Sequence, residues 1–181
     1  QIIDDPLVGG VESFAQTQDG ADVYAACFYS KSVTWLKRGM NTHELEVQGG
    51  VVREDLDGAE FVVLSPDERH LWVSSPVFHK LVGFHRDEDG ALTHIQTLSY
   101  PELPIKGAAG LAVAPDGRTL WLASRLSETI TTFEIGEMGE LTWIDTVDET
   151  QRHVAESVGF SHDTSEVRSP VAWVNGLEVV S

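Results

Sequence analysis

The chain has 181 residues, with 12 Lys+Arg against 29 Asp+Glu and a formal net charge of −17. A field so negative repels phosphate at long range, which excludes nucleic acids and anionic membrane surfaces as partners. The hydrophobic fraction of 41% is that of a folded domain, the longest apolar runs fall far short of the roughly 20 residues of a membrane span, and the single Cys27 offers neither a disulfide partner nor zinc-site spacing.

The N-terminus, Gln1-Ile-Ile-Asp-Asp5, has no initiator Met and no basic-then-apolar leader, and reads as a chain processed or excised from something longer. A repeat follows. Thr17-Gln-Asp-Gly-Ala-Asp-Val-Tyr24 returns as Ser65-Pro-Asp-Glu-Arg-His-Leu-Trp72 and as Ala114-Pro-Asp-Gly-Arg-Thr-Leu-Trp121. A weaker fourth copy starts at Ser161-His-Asp163 and reaches Trp173, so the turn aspartates Asp19, Asp67, Asp116 and Asp163 are spaced by 48, 49 and 47 residues.

Each copy begins with a short apolar run (Phe61-Val-Val-Leu64; Leu111-Ala-Val-Ala114), then a Pro-Asp-Gly-like turn in which Asp and Gly accept the tight conformation. A second run carries an aromatic (Tyr24, Trp72, Trp121, Trp173), and a third carries another (Trp35, Phe84, Phe133). After a Gly-containing turn comes a fourth, Leu92-Thr-His-Ile95 or Leu141-Thr-Trp-Ile144. Four short antiparallel strands per repeat of about 48 residues, without helical periodicity, predict an all-β fold of the β-propeller type. The expected organisation is one domain over 1–181, with about four blades at 6–54, 55–103, 104–150 and 151–181, the last completed by a strand from 1–5. Such a ring could close alone, pair with a second copy, or form part of a larger ring completed by another chain; a bare edge would invite association.

Leu64-Ser-Pro-Asp-Glu-Arg-His-Leu-Trp-Val73, followed by Leu81-Val-Gly-Phe-His-Arg-Asp-Glu-Asp-Gly-Ala-Leu92, resembles the repeat of the lactonase-type (6-phosphogluconolactonase-like) propellers, as does Ala114 to Leu141. The resemblance implies a propeller of the group that includes lactone hydrolases, lactonising enzymes and exported repeat proteins, hence a secreted or cell-surface setting. Its motif residues are turn and packing residues, so they speak to fold. Members are single chains of about seven blades, against about four repeats here, and no catalytic motif transfers position by position.

Two sets of side chains are candidate sites. Aligning the repeats puts Glu12, Glu60, Ala109 and Glu156 at one equivalent position ahead of the turn, where the inner strands approach the axis. Three converging carboxylates suit a hard cation such as Ca²⁺, or merely tolerate a wet channel mouth. Arg53, Asp55, His79, Lys80, Arg125, Glu128, Arg152 and His153 fall in the loops of one propeller face. Among them Arg53, Asp55, His79, Arg125, Glu128 and Arg152 are candidate ligand contacts, and His79, Arg125 and His153 form a candidate acid, base and oxyanion clamp for lactone opening. Loop polar residues are also the ordinary solvated surface. The aromatics on the second strands read as blade-to-blade packing, the repeated aspartates and Asp87-Glu-Asp-Gly90 as turns, and Cys27 as a small buried residue. The function expected is a binding or assembly module presenting variable loops to a small molecule, carbohydrate or protein, with a lactonase-like enzyme or a subunit of a split propeller as the other readings.

Overall fold

Short apolar stretches punctuated by Asp-Gly-type turns can satisfy their backbone groups only by pairing with one another. In the computed structural model, which describes residues 3–39 and 44–148, they do so as three four-stranded antiparallel sheets. The first contains β1 (Val11–Gln16), β2 (Asp22–Cys27), β3 (Ser32–Arg38) and β4 (Leu45–Val52). The second contains β5 (Phe61–Leu64), β6 (His70–Ser75), β7 (Lys80–Arg86) and β8 (Leu92–Ser99), and the third β9 (Ala108–Val113), β10 (Thr119–Ser124), β11 (Thr129–Ile135) and β12 (Leu141–Val147). Each sheet is a simple meander in chain order. The first strands lie together, β1 against β5 and β5 against β9, so the sheets fan outward as propeller blades from a shared inner edge. The only helical element among the described residues is a single 3-10 turn, Glu54–Leu56. The fourth repeat, including Asp163 and Trp173, lies outside the described residues.

The grammar of the repeat has a visible cause at each step. Asp19, Asp67 and Asp116 each accept the backbone N–H two residues on, from Ala21 (2.9 Å), Arg69 (3.1 Å) and Arg118 (3.0 Å), which closes the first hairpin. Two residues before the first two aspartates, Thr17 and Ser65 donate hydroxyls to the same carboxylates. The third-to-fourth strand pairing slips register at one equivalent place in each described blade, between Trp35 and Leu36, Gly83 and Phe84, and Thr132 and Phe133, so that Leu36, and not the Trp35 expected from sequence spacing, stands where Phe84 and Phe133 do. A bulge there adds the extra twist that a blade's outer edge requires.

The core lies between blades rather than within them. Tyr24, Ala26 and Val33 of the first blade pack on Leu71, Val73, Val82 and Phe84 of the second. Trp72 and Leu81 of the second pack on Ala108, Leu120, Leu122 and Phe133 of the third. In each junction the second-strand aromatic also donates a hydrogen bond to the glycine of the next blade's last turn: Tyr24 Oη to Gly90 O at 2.7 Å, and Trp72 Nε1 to Gly139 O at 3.2 Å. The first junction holds a polar lock as well. Arg86 donates through Nε to Tyr24 Oη (2.7 Å) and through Nη2 to Asp22 Oδ2 (2.6 Å), while Trp35 Nε1 donates to Asp22 Oδ1 (3.0 Å). Burial pushes the Tyr24 hydroxyl up to about 12, so it stays protonated and keeps donating. At the second junction the positions of Asp22, Tyr24 and Arg86 are taken by His70, Trp72 and Ile135, and burial lowers the His70 imidazole.

The strand expected from residues 1–5 for the last blade concerns a pairing outside the described residues, since of the two partners only residues 3–5 are described. Ile3 packs against the Ala25, Cys27 and Leu36 face of the first blade, and residues 3–5 form no strand. A tether lies just beyond: Leu7 O accepts hydroxyls from Ser30 (3.0 Å), Ser32 (2.8 Å) and Thr34 (2.5 Å) of the first blade. Pro104 O accepts Thr129 and Thr131 in the same way in the third blade, so residues 5–10 are the inward loop that opens blade one.

Candidate functional site

The loops entering each blade and the hairpins joining its second and third strands share one face of the fan, and their contacts repeat. Gly10, Gly58 and Gly107 all adopt positive φ, of 69°, 72° and 77°. Over them lie the apolar hairpin tips: Tyr29 over Gly10, Val77 and Phe78 over Gly58, and Leu126 over Gly107, so close that a Cβ would intrude at Gly10 and Gly107 and would fit only tightly at Gly58. Tyr29, Val77 and Leu126 are equivalent positions spaced 48 and 49 residues apart, and all three are exposed. Two residues on, Lys31, His79 and Glu128 sit at the left-handed corner of the hairpin, with φ of 51°, 57° and 56°. The scaffold is thus constant while the corner residue changes from cation to imidazole to carboxylate. Recognition of this motif was open to the sequence, since both the glycines and the tips keep the repeat spacing.

At the junction of the second and third blades the candidate residues converge. Glu60, just ahead of β5, anchors its backbone N–H on Ser74 O at 3.0 Å, and its carboxylate receives Arg125 Nη2 at 3.1 and 3.3 Å. Arg125 follows β10 and belongs to the third blade, so the pair bridges two blades next to the inner strands. The Arg125 side chain is 38% exposed and the Glu60 side chain 20%, so the pair is open to solvent on one side. The Gly107 peptide ties in the third residue: its N–H lies 3.0 Å from His79 Nδ1, and its oxygen accepts the Arg125 N–H at 3.0 Å. His79 Nδ1 also lies 2.8 Å from Pro76 O, so this nitrogen is committed to backbone whichever tautomer is present, and Nε2 is the free one. Tyr100 meets the His79 ring edge-on at 5.9 Å, and Lys106 Nζ stands 5.8 Å above the Tyr100 ring.

The remaining candidates are placed differently. Arg53 and Asp55 bind each other, through Nε and Nη2 at 2.7 and 2.8 Å, and Asp55 also accepts the Thr97 hydroxyl at 2.5 Å, with His94 3.9 Å away. Thr97 and His94 belong to β8, the outermost strand of blade two, so this pair stands at the rim of the fan and not beside Glu60 and Arg125. The Arg53 guanidinium, joined by the Thr97 hydroxyl, overrides burial and holds the Asp55 carboxyl down at about 2. Of the axial carboxylates, Glu60 is answered by Arg125, Glu12 is exposed on β1, and the equivalent position in blade three is the buried Ala109. Among the described residues no three His, Cys, Asp or Glu side chains are grouped to hold an ion. Glu128 is exposed; Arg152, His153 and Glu156 lie outside the described residues.

Residues 13–154 match the family profile described as "Lactonase, 7-bladed beta-propeller". No curated protein sequence matches the chain. Among solved structures, the periplasmic gluconolactonase of Pseudomonas aeruginosa superposes with a TM-score of 0.66 at 22% identity, covering 77% of this chain and 41% of that one. A Bacteroides fragilis protein described as a candidate 6-phosphogluconolactonase gives 0.68 at 21% identity, over 77% and 39%. Saccharomyces cerevisiae Sqt1 gives 0.64 at only 10% identity, over 80% and 36%, so the likeness to it is one of blade architecture. The chain spans about two-fifths of the length of these structures.

Proposed function

The chain belongs to the lactonase family of seven-bladed β-propellers, and from that premise we propose that its loop face binds a small sugar-derived acid or the corresponding lactone. The observation that carries this is the Arg125–Glu60 pair, which sets a partly exposed arginine side chain at the inner edge where two blades meet. A guanidinium presents paired N–H donors in a plane, which suits a carboxylate or an ester carbonyl better than a neutral hydroxyl. His79 Nε2 and the Tyr100 ring add a polar contact and an aromatic surface close by. Hydrolysis is the second reading, favoured by the carboxylate beside the arginine. Water would attack the lactone carbonyl while Glu60 takes its proton, and Arg125 would stabilise the oxyanion. The ring C–O bond would then break, with the proton passing to the leaving oxygen to give the open hydroxy acid.

Calorimetric titration of the 181-residue chain with gluconate and with glucono-δ-lactone tests the binding reading. Arg125→Ala is expected to weaken binding about tenfold or more, the loss of one charge-assisted contact of about 1.4 kcal/mol. Absence of binding by the unmodified chain, or an unchanged affinity in Arg125→Ala, would defeat it. Acid release from the lactone, lost in Glu60→Gln with ligand affinity retained, separates the enzyme from the binding module.

A further inference from the structure

The repeat carries different groups at its two junctions. Where the first blade opposes Asp22 to Lys37 across β2 and β3, the second opposes two imidazoles, His70 and His85, across β6 and β7. Their rings are 5.5 Å apart. His70 is 4% exposed and lies so close over Gly139, on the last turn of the third blade, that a Cβ there would collide with the ring. Trp72, two residues on, donates to the Gly139 carbonyl, so imidazole and indole grip the same turn. Yet His70 Nε2 and His85 Nδ1 are buried without a hydrogen-bond partner among the described residues.

Such a setting accepts a neutral ring and penalises a charged one, because an imidazolium has a proton to donate from each nitrogen. The charged groups around His70 are Asp67 and Arg69 on its own hairpin, His85 on β7 and Glu140 on the third blade's turn, while β5 on the other side of β6 brings none. Both carboxylates are already engaged, Asp67 by the Ser65 hydroxyl and the Arg69 N–H, and Glu140 by the Met138 N–H. Burial outweighs them and holds the His70 imidazole below its ordinary 6.5. An opened junction therefore binds the proton more tightly than a closed one. Above about pH 6.5 the junction has its full strength, and it weakens as pH falls from there.

We propose that the junction between blades two and three is a catch released by acid: protonating His70 sets a cation with an unanswered Nε2–H against the Gly139 turn and beside His85, and blade three loosens from blade two. The first junction is held by Arg86 on Asp22 at 2.6 Å. The imidazole at its rim, His94, meets Thr97 Oγ1 at 3.0 Å and stands 3.9 Å from Asp55, so a charge there has a carboxylate within reach. The consequence extends to the loop face, since Glu60 and Arg125 bridge the same two blades, but the proposal does not rest on the ligand assigned to them.

Hydrogen exchange followed by NMR on the full chain reads each junction through one amide that crosses it. Leu141 N–H donates to Gln96 Oε1 of blade two at 2.6 Å, and Val62 N–H donates to Ser13 Oγ of blade one at 3.0 Å. After correction for intrinsic exchange rates, protection at Leu141 is expected to fall relative to Val62 between about pH 7.5 and 5.5, by up to about tenfold per pH unit, the slope that one proton sets. In His70→Gln the ratio is expected to stay flat, and in His94→Gln to fall as in the unmodified chain. The His70 ring resonances of the unmodified chain are expected to titrate with a midpoint below 6.5. A ratio that does not change with pH in the unmodified chain, or one that falls equally in His70→Gln, would overturn the proposal. So would a His70 midpoint at or above 6.5, a reading that needs no variant to fold.

Discussion

The left-handed corners of the hairpins show how much a single residue decides. In the first hairpin of each blade the equivalent corner is Gly20, Glu68 or Gly117, and Glu68 holds φ of 61°. A residue with a Cβ pays for that conformation, by roughly 1–2 kcal/mol, partly offset by the bond from Gln18 N to the Glu68 carboxylate. Glu68→Gly is therefore expected to raise the free energy of unfolding by about 0.5–1 kcal/mol in denaturant melts; a loss would show that the link to Gln18 matters more than the strain. The opposite sign belongs to the buried lock. Asp22→Ala leaves Arg86 without its carboxylate in a site where both side chains are about nine-tenths buried, and is expected to cost about 3–5 kcal/mol. Tyr24→Phe, which removes only the hydroxyl between Arg86 and Gly90, is expected to cost about 1–3 kcal/mol by the same measurement.

At the scale of elements, the strands and their turns were legible because they are local. The aspartates announce hairpins by bonding backbone two residues away, and the apolar runs between them can only be strands. The Glu60–Arg125 pair and the Arg53–Asp55–Thr97 cluster were legible only as lists of polar residues. Their partners stand 65 and 42 residues apart, and no local pattern tells which loop residue meets a ligand and which meets another loop. The rim cluster makes a testable statement about pH. The Asp55 carboxyl is depressed to about 2 from an ordinary 3.8, so its stabilisation is complete above pH ~4 and is lost as pH falls from there through about 2. Acid titration of the melting temperature is expected to show this loss, of about 1–2 kcal/mol after allowing for the partly exposed Arg53. In Asp55→Asn the stability at neutral pH drops, and the fall between pH 4 and 2 is correspondingly smaller.

For the molecule as a whole, repetition and charge set the behaviour. Repeat spacing made the three described blades legible, whereas the N-terminal tether through Leu7 was not, because it depends on three hydroxyls meeting one carbonyl. With a net charge of −17 the folded chain repels itself, and added salt, which shortens the screening length to about 10 Å at 0.1 M, relieves that repulsion. The melting temperature is expected to rise from low salt to about 0.2 M sodium chloride. A fall would mean that the ion pairs Lys31–Glu54, Arg86–Asp22 and Arg125–Glu60 outweigh the general repulsion.

The two junctions also settle a problem of assembly that any chain of near-identical units meets. During folding, a blade can settle beside the wrong neighbour, since every blade offers much the same apolar face. The joints here are keyed differently: Arg86 of blade two fits only beside Asp22 and Tyr24, while Ile135 of blade three fits the apolar side of Trp72. Blade two docked on a second copy of itself would bury Arg86 against His70 and Trp72, with no carboxylate to receive it. Divergence at three positions within a shared template thus gives each blade an address, so the order of blades in space follows their order along the chain.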